Sequence, residues 1–392
     1  MLTTKALLKR YLVWVTLFFV YVIIAIFIIY KGSVQSPDTG TYVKWAKILI
    51  GYEFNFLAYY GDVSFHVPPF LYTIPVAIFA IFISIFNEQW AIAYQALNLA
   101  ALFFILFLYA KTILHLGVRQ WLVSMSLLVF IVSTDYLLWP RYLLTDSLFA
   151  ATVMLAIYIV LAGPNNRPSY YALIIFSSFL LLFSRPASLT FIAVFLFFGV
   201  LIDLSQRVLI KKTLFLRLGI LTLLSSAIFS VIIMTHASGF FESDQLDFWR
   251  PWIERGVVID SRPETYIVYE ATYLGTTKLH LYRMVGFFNP FASDFSFTHN
   301  VLNGLLLLGC YVVIFVLFRY SFIDFEKNNN RAKAITLLST LIVFVAISTA
   351  AILIDYDWRY RYPIIAPLIM LATLIFDNYL NSRDATTIHN IK

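Results

Sequence analysis

Long apolar runs separated by short polar ones dominate the chain. A membrane crossing needs about 20 mainly apolar residues. Runs at 11–30, 90–110, 121–138, 147–162, 170–184, 187–202, 215–235, 301–318, 334–354 and 362–380 approach that length. They predict an all-α polytopic membrane protein with about ten transmembrane helices. A further run, 68–86, opens on "HVPPF" and carries Pro75 in its interior, which suits an irregular piece buried against protein.

Charge decides how that piece is counted. With Lys5, Lys9 and Arg10 inside, ten spans keep Lys111, Arg119, Arg167, Arg207, Arg217, Arg319 and Lys333 on the same side. Counting 68–86 as a span would invert every later loop, against the positive-inside rule. The run is therefore expected to be re-entrant or surface-lying. The basic start resembles that of a signal peptide, but the apolar run after it is too long for one, so a retained first membrane helix is expected.

Two outer loops stand out in a single membrane domain. The first, 31–89, contains a helix readable by its period. Trp45, Ile48, Leu49 and Tyr52 fall on one face, with Thr41, Lys44, Lys47 and Gly51 on the other, the pattern of an interfacial amphipathic helix. The second, 236–300, is the one long polar stretch and is expected to act as a lid. Residues 301–392 carry the last spans. No solenoid repeat and no inverted repeat of broken helices is visible.

Composition narrows the function classes. The chain is 61% hydrophobic and 12% charged, with a mean hydropathy of +0.83. A soluble domain would carry about twice that charge. The net charge of +7 and pI of 9.2 report membrane orientation rather than nucleic-acid binding. The lone Cys310 excludes an internal disulfide and a cysteine metal cluster. The 18% aromatic content suits interfacial belts or a cavity facing lipid or sugar. Acidic residues collect in the outer loops although they contribute little to orientation. Chemistry is therefore expected on the non-cytoplasmic face.

The candidate residues lie in short motifs. In "SPDTGTY", Asp38 is either a helix cap or a base. His66 precedes Pro68 and Pro69. "WPRYLLTDSLF" supplies Arg141 and Asp146, and "FSRPAS" places Arg185 between two spans with almost no loop. "DYDWRYRYP" packs Asp355, Asp357, Trp358, Arg359, Tyr360 and Arg361 before the last span. If that stretch is extended, Arg359 and Arg361 point to one side. Intramembrane and near-membrane charges are costly and usually functional. A guanidinium fork matches phosphate oxygens, and a carboxylate beside it can take a proton from a hydroxyl nucleophile.

The order of these motifs resembles the GT-C glycosyltransferases, in particular the branch of the protein O-mannosyltransferases and the aminoarabinose transferase. The likeness covers about residues 10–200 and the C-terminal "WRYRYP". It implies a polyprenyl- or dolichyl-phosphate sugar donor, an acceptor hydroxyl on a glycan, lipid or protein, and work on the non-cytoplasmic face. Asp38 would be the catalytic base. Asp146 would position substrate, and His66 would contact the donor phosphate. The pattern departs from the family in that "SPDTGTY" carries the single Asp38, where many members have an acidic pair, and in showing no large C-terminal soluble domain.

The expected activity is thus lipid-phosphate-dependent glycosyl transfer. Asp38 and Asp146 are assigned to catalysis, and His66, Arg141, Arg185, Trp358, Arg359, Tyr360 and Arg361 to substrate binding. No cofactor is implied; Asp38, Asp146, His280 and His299 are possible metal ligands but show no ligand spacing. Two alternatives stay open: a flippase for a lipid-linked sugar, and a polymerase using a lipid diphosphate. Arg250, Arg255, Arg262 and Arg283 in the second loop would suit the polymerase. The expected location is the cell membrane of a bacterium or archaeon, with the site facing outward.

Overall fold

The computed structural model describes residues 4–63, 69–164, 166–185, 188–207, 273–292, 295–323, 329–351 and 358–390. The described residues are almost entirely helical. Their architecture is a helix bundle with a small second core at one end.

Helix α1 (Thr4–Lys31) is apolar along nearly its whole length and buries Val13, Leu17, Val20, Ile24 and Ile28. Gly32, at φ +72°, ends it in a left-handed conformation that glycine adopts without strain. The next residues pair with a distant segment. Val34 N–H donates to the Arg141 carbonyl (2.8 Å), and Leu143 N–H to the Val34 carbonyl (3.0 Å). This bridge fixes where α2 (Pro37–Gly51) starts. Its amphipathic face works as the period predicted at Trp45 and Leu49, which are buried with Tyr42 and Ala46, while Lys44 and Lys47 are exposed. Tyr52 departs from the expectation: it lies past the helix end and is exposed.

Helices α3 (Phe56–Asp62) and α4 (Thr73–Phe86) complete the small core with the start of α5 (Trp90–His115). Phe79 stacks on Tyr42 (centroids 5.7 Å apart) and on Tyr94 (4.4 Å). Each such pair adds about 0.5–1.5 kcal/mol beyond its area burial. The Phe79–Tyr94 stack shows that α4 folds back on α5, with the break at Asn87 (φ +46°). The apolar segment Phe70–His115 is therefore not one straight helix, although 46 residues of it pass for a crossing by composition.

The main core joins α1 and α5 to α6 (Gln120–Leu128), α8 (Asp146–Ala162), α9 (Arg167–Leu182) and α10 (Ser188–Arg207). It continues with α11 (Tyr273–Phe288), α12 (Phe297–Ile323), α13 (Asn329–Ala351) and α14 (Tyr362–Asn390). Between α6 and α8 lies the short α7 (Thr134–Leu138).

The span count differs from the expected ten. Among the described residues, six helices are long and apolar enough to cross a membrane, or seven if one bent pair is a single span. The run at 121–138 is that pair. Ser133 takes an extended backbone (ψ 108°), and the axis turns by 62° between α6 and α7. Helices α8 and α9 are apolar but have only 17 and 16 residues. The run 215–235 and most of the 236–300 loop lie outside the described residues.

Arginine–aspartate pairs gather at both ends of the bundle. At one end Arg119 pairs with Asp377 (3.4 Å) and Asp384 (2.7 Å). Arg331 there joins Asp377 (2.8 Å) and the Leu116 carbonyl (2.9 Å), clamping α13 and α14 to the turn after α5. The other end collects the residues singled out by motif.

Candidate functional site

The first catalytic candidate is freed from capping by its neighbours. Ser36 is the N-cap of α2: its hydroxyl accepts from Thr39 N–H (3.3 Å), while Thr39 Oγ1 accepts from Ser36 N–H (3.0 Å). Thr39 also donates to the Leu143 carbonyl (3.0 Å), tying the cap to the bridge. The Asp38 side chain faces Arg359 instead, and Nη1 of Arg359 donates to Asp38 Oδ2.

Arg359 sits in a short 3-10 turn, Trp358–Arg361, that leads into α14. The expected extended geometry is therefore replaced, and the two arginines diverge. Arg359 goes to Asp38. Arg361 donates to the Asn289 carbonyl (3.0 Å) after α11 and lies 3.7 Å from Asp135 on α7. Asp135 in turn accepts from Trp139 Nε1 (3.1 Å). The Tyr360 ring lies beside Arg359 and Arg185, its centroid 5.7 Å from the Arg359 guanidinium and 6.0 Å from that of Arg185.

Arg185 closes the cluster from the link between α9 and α10. It donates to Asp146, the first residue of α8, and both side chains are buried (8% and 1% exposed). Among the described residues, the second oxygen of Asp146 has no hydrogen-bond partner. Burial is the largest single influence on the Arg185 pKa and lowers it, as Arg359 does, but Asp146, Tyr42 and Tyr360 together raise it by more and the net direction is upward. Arg185 is a fixed cation.

Tyr42 lies one helical turn after Asp38 on the buried side of α2. Burial pushes its hydroxyl pKa up, and Arg185, Tyr72, Asp38 and Arg359 all act on it electrostatically. Burial thus keeps it a neutral O–H in the field of Arg185, Asp38 and Arg359. The assembled set is three arginines against three aspartates, with tyrosines alongside. It can hold an anion by exchanging a carboxylate, stack a polar ring on Tyr360 and offer a carboxylate as proton acceptor.

Not every motif residue joins the set. Arg141 donates to the carbonyls of Gly32 (3.0 Å) and Lys31 (3.1 Å), which are left without helical partners at the end of α1. His66 and the Trp358 side chain lie outside the described residues, as does the His280 side chain. His299 stacks flat on Phe295 (3.7 Å). Among the described residues, no three His, Cys, Asp or Glu stand together as metal ligands.

Motif reasoning passed over Asp135 and Tyr42. Tyr42 was legible as the i+4 neighbour of Asp38. Asp135 was not, since its partner Arg361 is remote in sequence. The chain matches no family model, no curated protein and no solved structure.

Proposed function

We propose that the protein is a membrane glycosyltransferase of GT-C type that takes a sugar from a polyprenyl-phosphate donor and gives it to a hydroxyl on the non-cytoplasmic face. The observation that carries this is the meeting of Arg185 and Arg359 at Tyr360, each tied to a carboxylate expected to take part in catalysis. Arg359 binds the donor phosphate, Arg185 supplies a fixed positive field, and Arg361 holds the turn that carries Arg359. Tyr42 donates to a phosphate oxygen. Asp38 takes the proton of the acceptor hydroxyl as that oxygen attacks the anomeric carbon. The bond from that carbon to the phosphate oxygen breaks, polyprenyl phosphate leaves, and direct attack inverts the configuration. Cations neutralise the leaving phosphate, so no separate acid is needed.

The bilayer is the second partner. Apolar side chains exposed along α12, including Val301, Leu305, Val312 and Phe315, suit contact with lipid. The flippase reading finds less support. The buried charges Asp135, Asp146, Arg185, Asp203, Arg331, Lys333 and Arg361 lie at or near helix ends, and Asp377, inside α14, is paired with Arg119 and Arg331. Arg250, Arg255 and Arg262, which would suit a polymerase, lie outside the described residues, and Arg283 is buried on α11.

Incubating the purified protein with a panel of radiolabelled polyprenyl-phosphate sugars and following free polyprenyl phosphate tests the proposal. Release supports it; no release from any donor, with tight binding of the lipid, would favour the flippase.

A further inference from the structure

The two ion pairs beside Tyr360 are built differently. Arg185 and Asp146 are sealed from solvent, whereas the Asp38 side chain is 44% exposed and that of Arg359 is 14% exposed. Separating a buried pair leaves an uncompensated charge and is costly, while a half-exposed pair contributes little net stability. An incoming anion therefore recruits Arg359 and leaves Arg185 in place.

Asp38 is held at the position where it would compete. Pro37 and the Ser36 cap fix the first turn of α2, and the bridge at Val34 fixes that turn against Leu143. The carboxylate thus stands opposite Arg359 whenever the fold is formed. While it does so, the lone pairs facing the guanidinium are not open to an acceptor hydroxyl.

Building on the lipid-phosphate reading, we propose that Asp38 and the donor phosphate compete for the guanidinium of Arg359, so that seating the donor is what frees the base. The exchange nearly conserves charge: one anion leaves the arginine as another arrives. Two consequences follow. The acceptor is activated only after the donor is bound, and water is not activated before that point.

Equilibrium binding of farnesyl phosphate to the purified full-length protein in detergent tests the competition without any need for turnover. Removing the competitor in Asp38→Asn should tighten binding by about fivefold, the scale of a part-exposed ion pair. Arg359→Gln should weaken it, and adding Asp38→Asn to Arg359→Gln should change nothing further. Asp38→Ser provides a second removal of the charge, and gel filtration of each variant checks that it is folded. Unchanged or weaker binding in both Asp38 variants would overturn the competition while leaving the lipid-phosphate site standing. No binding by wild type or any variant would overturn both.

Discussion

Arg359 and Asp38 stand 321 residues apart in sequence and share a hydrogen bond at the end of the bundle where the motif residues gather. The first turn of α2 and the turn before α14 are thereby joined across a site that also contains Arg185 and Asp146. A guanidinium serves there as a planar fork, which an ammonium cannot replace. Arg359→Lys should therefore raise the donor KM by about tenfold, roughly 1.4 kcal/mol, in a steady-state assay of polyprenyl phosphate release. An unchanged KM would remove Arg359 from the donor site.

Asp146 and Arg185 should be dominated by stability. Asp146→Ala leaves the Arg185 charge buried and uncompensated, a loss of about 3–5 kcal/mol. Thermal denaturation in detergent should show a large drop in Tm. The double variant Arg185→Met with Asp146→Leu should recover much of that Tm, because two apolar side chains need no partner. It should not recover transfer. Recovery of both would make the pair purely structural.

Arg361 and Arg141 offer a contrast between two arginines drawn from neighbouring kinds of motif. Arg361→Ala should weaken donor binding and raise the donor KM, since it releases the turn carrying Arg359 from Asn289 and Asp135. Arg141→Ala should leave the donor KM nearly unchanged and lower stability by about 1–3 kcal/mol, because two helix-end carbonyls lose their donor. Measuring KM and Tm for both variants checks the split. Unchanged donor affinity in Arg361→Ala would take that residue out of the site.

Tyr42 gives a pH prediction. Its folded-state pKa is raised by burial above the ordinary tyrosine value of about 10. The folded protein holds this proton longer than the unfolded chain does. The stability it contributes is thus present below that pH and is lost as pH rises through and beyond it. Tm against pH for wild type and Tyr42→Phe should diverge above pH ~10, with the wild type falling more steeply. Parallel curves would show that the hydroxyl is not sequestered.

Much of the fold was legible because the bilayer constrains pattern so strongly. Apolar runs predicted α1, α10, α12, α13 and α14, and the helical period predicted the buried face of α2 at Trp45 and Leu49. The break at Ser133 was not legible, since "SLLVFIVSTDYLL" is apolar on both sides of the bend and only the polar triplet Ser133–Asp135 marks it. Pro75 and charge parity set 68–86 apart from a simple span; in the fold, α4 lays Phe79 on Tyr94 across the break at Asn87.

The site was legible as a set of motifs but not as a set of pairs. Which aspartate meets which arginine depends on how α2, α7, α8 and α14 are brought to one end, and nothing local encodes that. The 3-10 turn at Trp358–Arg361 shows the difference most clearly. An alternation rule puts both arginines on one side, while a tight helical turn sends them to Asp38 and to Asp135.

The measurement that bears most directly on the central claim runs wild type and Asp38→Asn side by side in nanodiscs with radiolabelled polyprenyl-phosphate sugars. The wild type should release free polyprenyl phosphate, and Asp38→Asn should bind the lipid yet release none. Normal turnover by Asp38→Asn would contradict the assignment of the base, and no release by the wild type from any donor would contradict the proposed function itself.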